Sequence, residues 1–160
     1  MILGIDPGTK ISGYALWCPK SSTLVYCGVV ENQQIEHDGY LREHLDLADV
    51  IAIEMIGHYG TGMSVGRSVF ATCIFIGRLI EQLKARKVKL ILRPSVKASL
   101  CGTAKAKDAN VIQALKDLIG EKGTKKNPGP LYGIKSHSWQ ALALAVAVGR
   151  GDCKEVDLDA

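Results

Sequence analysis

Two apolar runs in this chain each end in a carboxylate, and that repetition constrains the fold more than any other feature. Met1 to Ile5 reads MILGI, rich enough in Ile and Leu to be a buried strand, and it stops at Asp6 before Pro7 and Gly8 force a turn. Asp49 to Met55 (DVIAIEM) is built the same way, with Val50, Ile51 and Ile53 anchoring it and Glu54 at its carboxyl end. A carboxylate beside a core strand is costly unless a cation or hydrogen bonds compensate it. Asp6 alone is equally well read as the cap of its own turn. The second acid favours a paired site, because open α/β sheets bind ligands at the carboxyl ends of their strands.

The rest of the pattern surrounds these two strands. Ser12 to Cys18 and Thr23 to Glu31 read as further strands, antiparallel neighbours joined by tight turns. Asn32 to Glu36 reads as a polar loop, and His37 to Leu47 as a short helix with His37 and His44 on its surface. Ile56 to Gly66 (IGHYGTGMSVG) is glycine-rich and leads into a helix over roughly Ser64 to Lys87. Val65, Val69, Cys73, Ile76 and Ile80 supply its expected core stripe, with Arg67 and Arg78 turned to solvent or ligand. Val88 to Leu92 is a fifth strand.

Pro94 to Lys107 reads as a small-residue loop carrying Lys97, Lys105 and Lys107 and no acid. It suits either contact with phosphates or plain solvation. Lys107 to Ile119 is helical, and Asp108 in its first turn meets the helix dipole. Gly120 to Gly133 is a basic loop with Lys125 and Lys126. His137 to Gly149 is an apolar helix whose first turn places His137 and Gln140 on one face.

Length and composition agree with one domain over residues 1–150 followed by an acidic, frayed tail at 151–160. No apolar run reaches the roughly 18 residues of a membrane span. Five cysteines without CxxC spacing read as reduced thiols of a cytosolic chain. A net charge of +4 permits an anionic partner.

Taken in order, LGIDPGTKISGYAL, IAIE, GMSVGRSVFATCIFIGRL, RPSVK, GTAKAKDANV and ALALAVA resemble RuvC-type Holliday junction resolvases of the RNase H-like superfamily. The resemblance spans roughly Met1 to Arg150. It implies an α/β fold with a mixed five-stranded sheet of order 3-2-1-4-5, helices on both faces, and a homodimer gripping four-way or branched DNA. It implies a structure-specific endodeoxyribonuclease of DNA recombination and repair that makes paired, symmetric nicks. The setting would be the cytoplasm of a bacterial cell, or of a host cell for a phage protein. By the same resemblance Asp6 and Glu54 match the two leading catalytic acids, and Lys107 matches the lysine near the scissile phosphate.

Two Mg²⁺ ions about 3.5–4 Å apart are the expected cofactors, with Mn²⁺ able to substitute. Asp6 would bridge both ions and Glu54 would hold one. His137 would be a metal ligand or proton carrier. Gln140 departs from the family's acid and coordinates more weakly through its amide, which leaves Asp108 as the compensating acid. Lys97, Lys105, Lys107, Lys125, Lys126 and Arg67 would meet DNA, and Tyr59 or Met63 would wedge against unstacked bases. Two alternatives remain at this stage. One is a phosphate-cradling fold of the actin and sugar-kinase type, for which 160 residues leave no second lobe. The other is a junction-binding protein that does not cleave.

Overall fold

Alternation along each strand decides which face of the sheet a side chain serves. The computed structural model describes residues 1–57 and 66–156. Its strands β1 (Ile2–Asp6), β2 (Ile11–Cys18), β3 (Thr23–Glu31), β4 (Val50–Met55) and β5 (Val88–Leu92) form one sheet in the order β3-β2-β1-β4-β5. β2 is antiparallel to β1 and β3, whereas β4 runs parallel to both β1 and β5. This is the expected mixed sheet.

Helices cover both faces. On one side α1 (Asn32–His37), α2 (Arg42–Leu47) and α3 (Arg67–Gln82) pack over Leu3, Ile5, Leu16, Ile51 and Ile53. On the other, α4 (Arg93–Cys101), α5 (Asp108–Ile119) and α6 (Ser138–Arg150) pack over Ile2, Ala15, Trp17, Ala52 and Ile91. The parity places the acids. Asp6 continues the series Ile2, Gly4, and Glu54 continues Val50, Ala52, while Gly4 and Ala52 are partners across the parallel β1–β4 pair. Both carboxylates therefore leave the sheet side by side on the α4–α6 face.

What lets α6 lie so near them is the absence of side chains. A Cβ on Gly4 would stand 2.0 Å from the Ala141 carbonyl oxygen, and one on Gly13 would stand 2.3 Å from the His137 carbonyl carbon. Ala141 and Ala145 are fully buried, keeping the helix itself slim along this contact.

Several local expectations are corrected. Asn32–His37 is a helix, not a polar loop. Ile35 anchors it in the core, and Asn32 accepts a hydrogen bond from the Ser12 hydroxyl at 2.7 Å while donating to the Gly8 carbonyl at 3.0 Å. α3 is shorter than expected and buries Thr72, Phe75, Ile76 and Leu79. Of the anticipated stripe only Ile76 is fully buried; Val69, Cys73 and Ile80 lie at its margins, and Val65 is outside the described residues. The segment after Pro94, expected as a loop, opens as α4. Pro94 sits in the first turn, where its missing N–H has no intrahelical partner to lose. Val96 and Leu100 are buried, and Gly102 ends the helix at φ +73°.

The tail expected to fray from residue 151 is docked through Val156. The Val156 N–H donates to the Leu90 carbonyl at 2.7 Å, Glu155 bridges to Ile91 and pairs with Lys89, and Asp152 accepts from the Ser99 hydroxyl at 2.6 Å. The free edge of β5 is thereby covered. No described helix is long and apolar enough to cross a membrane.

Two glycine substitutions test this packing in opposite directions. Gly4→Ala is expected to destabilise by about 1–3 kcal/mol or more, since α6 must lift from β1. Gly77→Ala, on a helical turn with open space around it, is expected to stabilise by about 0.5–1 kcal/mol. Thermal or denaturant unfolding of the two variants measures both.

Candidate active site

Asp6 emerges at the end of β1 with its side chain only 13% exposed, and its Oδ2 meets Nδ1 of His137 at 2.8 Å. The chain neighbours of His137 fix that imidazole. Ser136 takes the left-handed conformation (φ +48°), reversing the chain just before His137. The buried Ser138 hydroxyl then accepts from the Lys135 N–H at 3.0 Å and donates to the Lys135 carbonyl at 2.6 Å. His137 itself is the N-cap of α6, over Gly13.

Glu54 is 17% exposed, and its Oε2 accepts from Arg93 Nη1 at 3.1 Å. Arg93 is the first residue after β5, so it enters from a third carboxyl strand end. Its Nη2 donates to Asp108 Oδ1 at 2.9 Å, in the first turn of α5, and also to Gln140 Oε1 in the first turn of α6. Lys97, one turn along α4, meets the same Asp108 oxygen at 3.2 Å. The Gln140 amide nitrogen faces Asp108 Oδ2 at 3.4 Å. Asp6, Glu54, Arg93, Asp108, His137, Gln140 and Ser136 line an open cleft of about 420 Å³.

The charges in this cleft are unevenly satisfied. Burial pushes the Asp6 carboxyl upward, opposed by its hydrogen bond to His137. Burial likewise raises Glu54, to about 7, against the pull of Arg93 and with the nearby Asp6 charge adding to it. Asp108 behaves oppositely: its hydrogen bond to Arg93, with help from Lys97, holds it below the ordinary aspartate value. Among the described residues no three His, Cys, Asp or Glu side chains enclose a metal site by themselves. The cleft offers instead two adjacent, desolvated carboxylates open to solvent on one side.

Of the sequence candidates, Asp6, Glu54, His137, Gln140 and Asp108 are brought together here, and Lys97 joins them through Asp108. Lys107 is exposed at the N-cap of α5, next to Asp108, and Lys105 is exposed in the turn before it. Lys125 and Lys126 are exposed within a turn closed by the Gly123–Pro128 bridge, with no bond to the cleft among the described residues. Arg67 is exposed at the start of α3. Tyr59 and Met63 lie outside the described residues. Sequence reasoning missed Arg93 and Ser136. The signal for Arg93 was its place directly beyond a core strand, the position that had already singled out Asp6 and Glu54.

Solved structures share this architecture. RuvC of Thermus thermophilus in complex with Holliday junction substrate superposes with a TM-score of 0.71 at 19% identity, over 97% of this chain and 98% of that one. The yeast mitochondrial Holliday junction resolvase Ydc2 gives 0.60 at 16% identity, over 94% of this chain and 76% of that one. The Fowlpox virus resolvase with its substrate Holliday junction DNA gives 0.54 at 16% identity, over 94% and 97%. The chain shares the fold of these proteins. No family model and no curated protein matches the sequence.

The raised acids have a measurable signature. A carboxyl whose folded pKa exceeds its unfolded value binds more protons when folded, so stability falls as pH rises through the interval, here from 4.5 to about 7 for Glu54. Glu54→Gln removes that charge while keeping an acceptor for Arg93. In EDTA it is expected to stabilise the protein at pH 8 by about 1–3 kcal/mol and to change it little at pH 4. Melting curves at both pH values check the sign.

Proposed function

We propose that this chain is a structure-specific endodeoxyribonuclease that resolves four-way DNA junctions by divalent-metal-dependent phosphodiester hydrolysis. The observation that carries the reading is the pair of desolvated carboxylates on adjacent parallel strands, with an imidazole bonded to one of them. Mg²⁺ takes hard oxygen ligands and is commonly held by one or two carboxylates, with waters and substrate phosphate completing the shell. Asp6 and Glu54 fit that role, because burial leaves their charge in need of a cation. Mn²⁺ accepts the same donors. When bound, such a cation neutralises phosphate charge and makes its water a better nucleophile.

The chain's own groups supply the rest. Asp6 Oδ2 and His137 Nδ1 are 2.8 Å apart, and in the Nδ1–H tautomer that this carboxylate would favour, Nε2 would take the proton of the attacking water. Lys105 and Lys107, exposed beside the cleft, hold the phosphate backbone, and Lys125, Lys126 and Arg67 extend the basic surface. Junction DNA as substrate is supported by the junction complexes of proteins with this fold, an argument by analogy of fold. The place of action would be the cytoplasm, where such DNA is met. A non-cleaving junction binder is the second reading, favoured by the amide of Gln140.

A dimer completes the proposal. On the outward side of α3, Phe70 is 59% and Ile74 56% exposed, and Ile11 nearby is 41% exposed. A groove of about 670 Å³ beside them is lined by Ile11, Glu31, Ile74, Phe75 and Arg78 among others. A second copy seated on this face would hide the apolar surface and present two sites to equivalent strands.

Cleavage of a labelled four-way junction in Mg²⁺ or Mn²⁺ tests the activity. Paired symmetric nicks are expected, reduced by about 10²–10³-fold or more in Asp6→Asn, the scale for losing a preorganised electrostatic group. Tight junction binding without nicks supports the second reading, and equal affinity for plain duplex overturns both. Light scattering tests the dimer: the native chain is expected as a dimer and Phe70→Glu/Ile74→Glu as a folded monomer. A monomeric native chain overturns this part.

A further inference from the structure

The cleft already contains cations of its own. Arg93 is 21% exposed and is held by partners from three separate elements: Glu54 on β4, Asp108 on α5 and Gln140 on α6. A guanidinium stays charged at any working pH, so it cannot leave this place by losing a proton. The oxygens on the α5–α6 side are all engaged. Asp108 Oδ1 faces Arg93 and Lys97, Asp108 Oδ2 faces the Gln140 amide nitrogen, and Gln140 Oε1 faces Arg93. On the β1–β4 side the situation differs: Asp6 Oδ1 and Glu54 Oε1 have no partner among the described residues.

Resting on the nuclease reading, we propose that the cleft is built for a single divalent cation, seated on Asp6 and Glu54, and that Arg93 stands where a second cation would otherwise be anchored. The two-ion expectation from sequence placed His137 at the second ion, with Asp108 compensating for Gln140, but His137 Nδ1 is bonded to Asp6 and Asp108 is bonded to Arg93 and Lys97. Residue 140 is an amide, which leaves the α5–α6 side without an uncommitted acid.

Charge balance points the same way. Asp6, Glu54 and Asp108 bring three negative charges, and Arg93 and Lys97 bring two positive ones, leaving one net negative charge. One divalent ion turns that into one positive charge, which matches one phosphodiester; two ions would leave three. Of the five guanidinium N–H donors, three are used by Glu54, Asp108 and Gln140. Two remain for a phosphate oxygen. Arg93 is therefore a positioning residue for the acids and a standing positive charge beside the phosphate.

Mn²⁺ titration of the full chain, followed by calorimetry and by the electron paramagnetic resonance of bound Mn²⁺, tests this without reference to cleavage. The native chain is expected to bind one Mn²⁺ with no dipolar coupling between ions. Asp108→Asn should leave that stoichiometry unchanged. Arg93→Met/Gln140→Asp should bind two, with the coupling of neighbouring ions, and Arg93→Lys should keep one. Two coupled ions on the native chain, or loss of the single ion in Asp108→Asn, would overturn the inference and leave the nuclease reading standing. No Mn²⁺ bound to the native chain at millimolar concentration would overturn both.

Discussion

The backbone of α6 rests on β1 and β2 at a distance that only glycine permits, and the site depends on that contact. Gly4 and Gly13 are not loop residues valued for freedom of φ; they are places where a side chain would occupy the position of the helix. Because the contact is between backbones, the helix has little room to slide or rotate on the sheet. Its first turn therefore delivers His137 to Asp6 and Gln140 to Arg93 with fixed geometry. A site of this kind is positioned by regular elements on every side, which is how a catalytic constellation keeps its dimensions.

Electrostatics then divide the cleft in two. On the strand side, burial has raised two acids whose charge is short of partners. On the helix side, Asp108 is held low by Arg93 and Lys97 and is already satisfied. The asymmetry is a conflict with stability of the sort expected at functional sites, where local rules are broken and the cost is met by the surrounding core. Here that surrounding core is two-sided, with α6 buried along nearly its full length.

Much of this was legible in the sequence, for identifiable reasons. β3 and β5 fall on the residues expected, because apolar strands bounded by turn-formers leave little freedom in their limits. Asp6 and Glu54 were legible because each interrupts an apolar run. The errors also have causes. Asn32–His37 buries a single aliphatic residue, Ile35, too little to give a helical period, and its order comes from tertiary hydrogen bonds of Asn32. The face of α3 was misjudged because Phe70 and Ile74, as apolar as the core positions, point outward and blur the period. Arg93 showed only its place beyond a core strand, since its partners lie 15, 39 and 47 residues away.

The dispersal of the site along the chain carries a consequence for its synthesis. The carboxylates of residues 6 and 54 leave the ribosome early, yet the imidazole that Asp6 holds sits at residue 137, and the helix that seats it runs to Arg150. β1 lacks its cover on one face until that helix arrives. A nascent or prematurely terminated chain thus carries both acids without the group that pairs with them, so competence arrives only with the last helix. On the nuclease reading, an incomplete copy is therefore an inactive one.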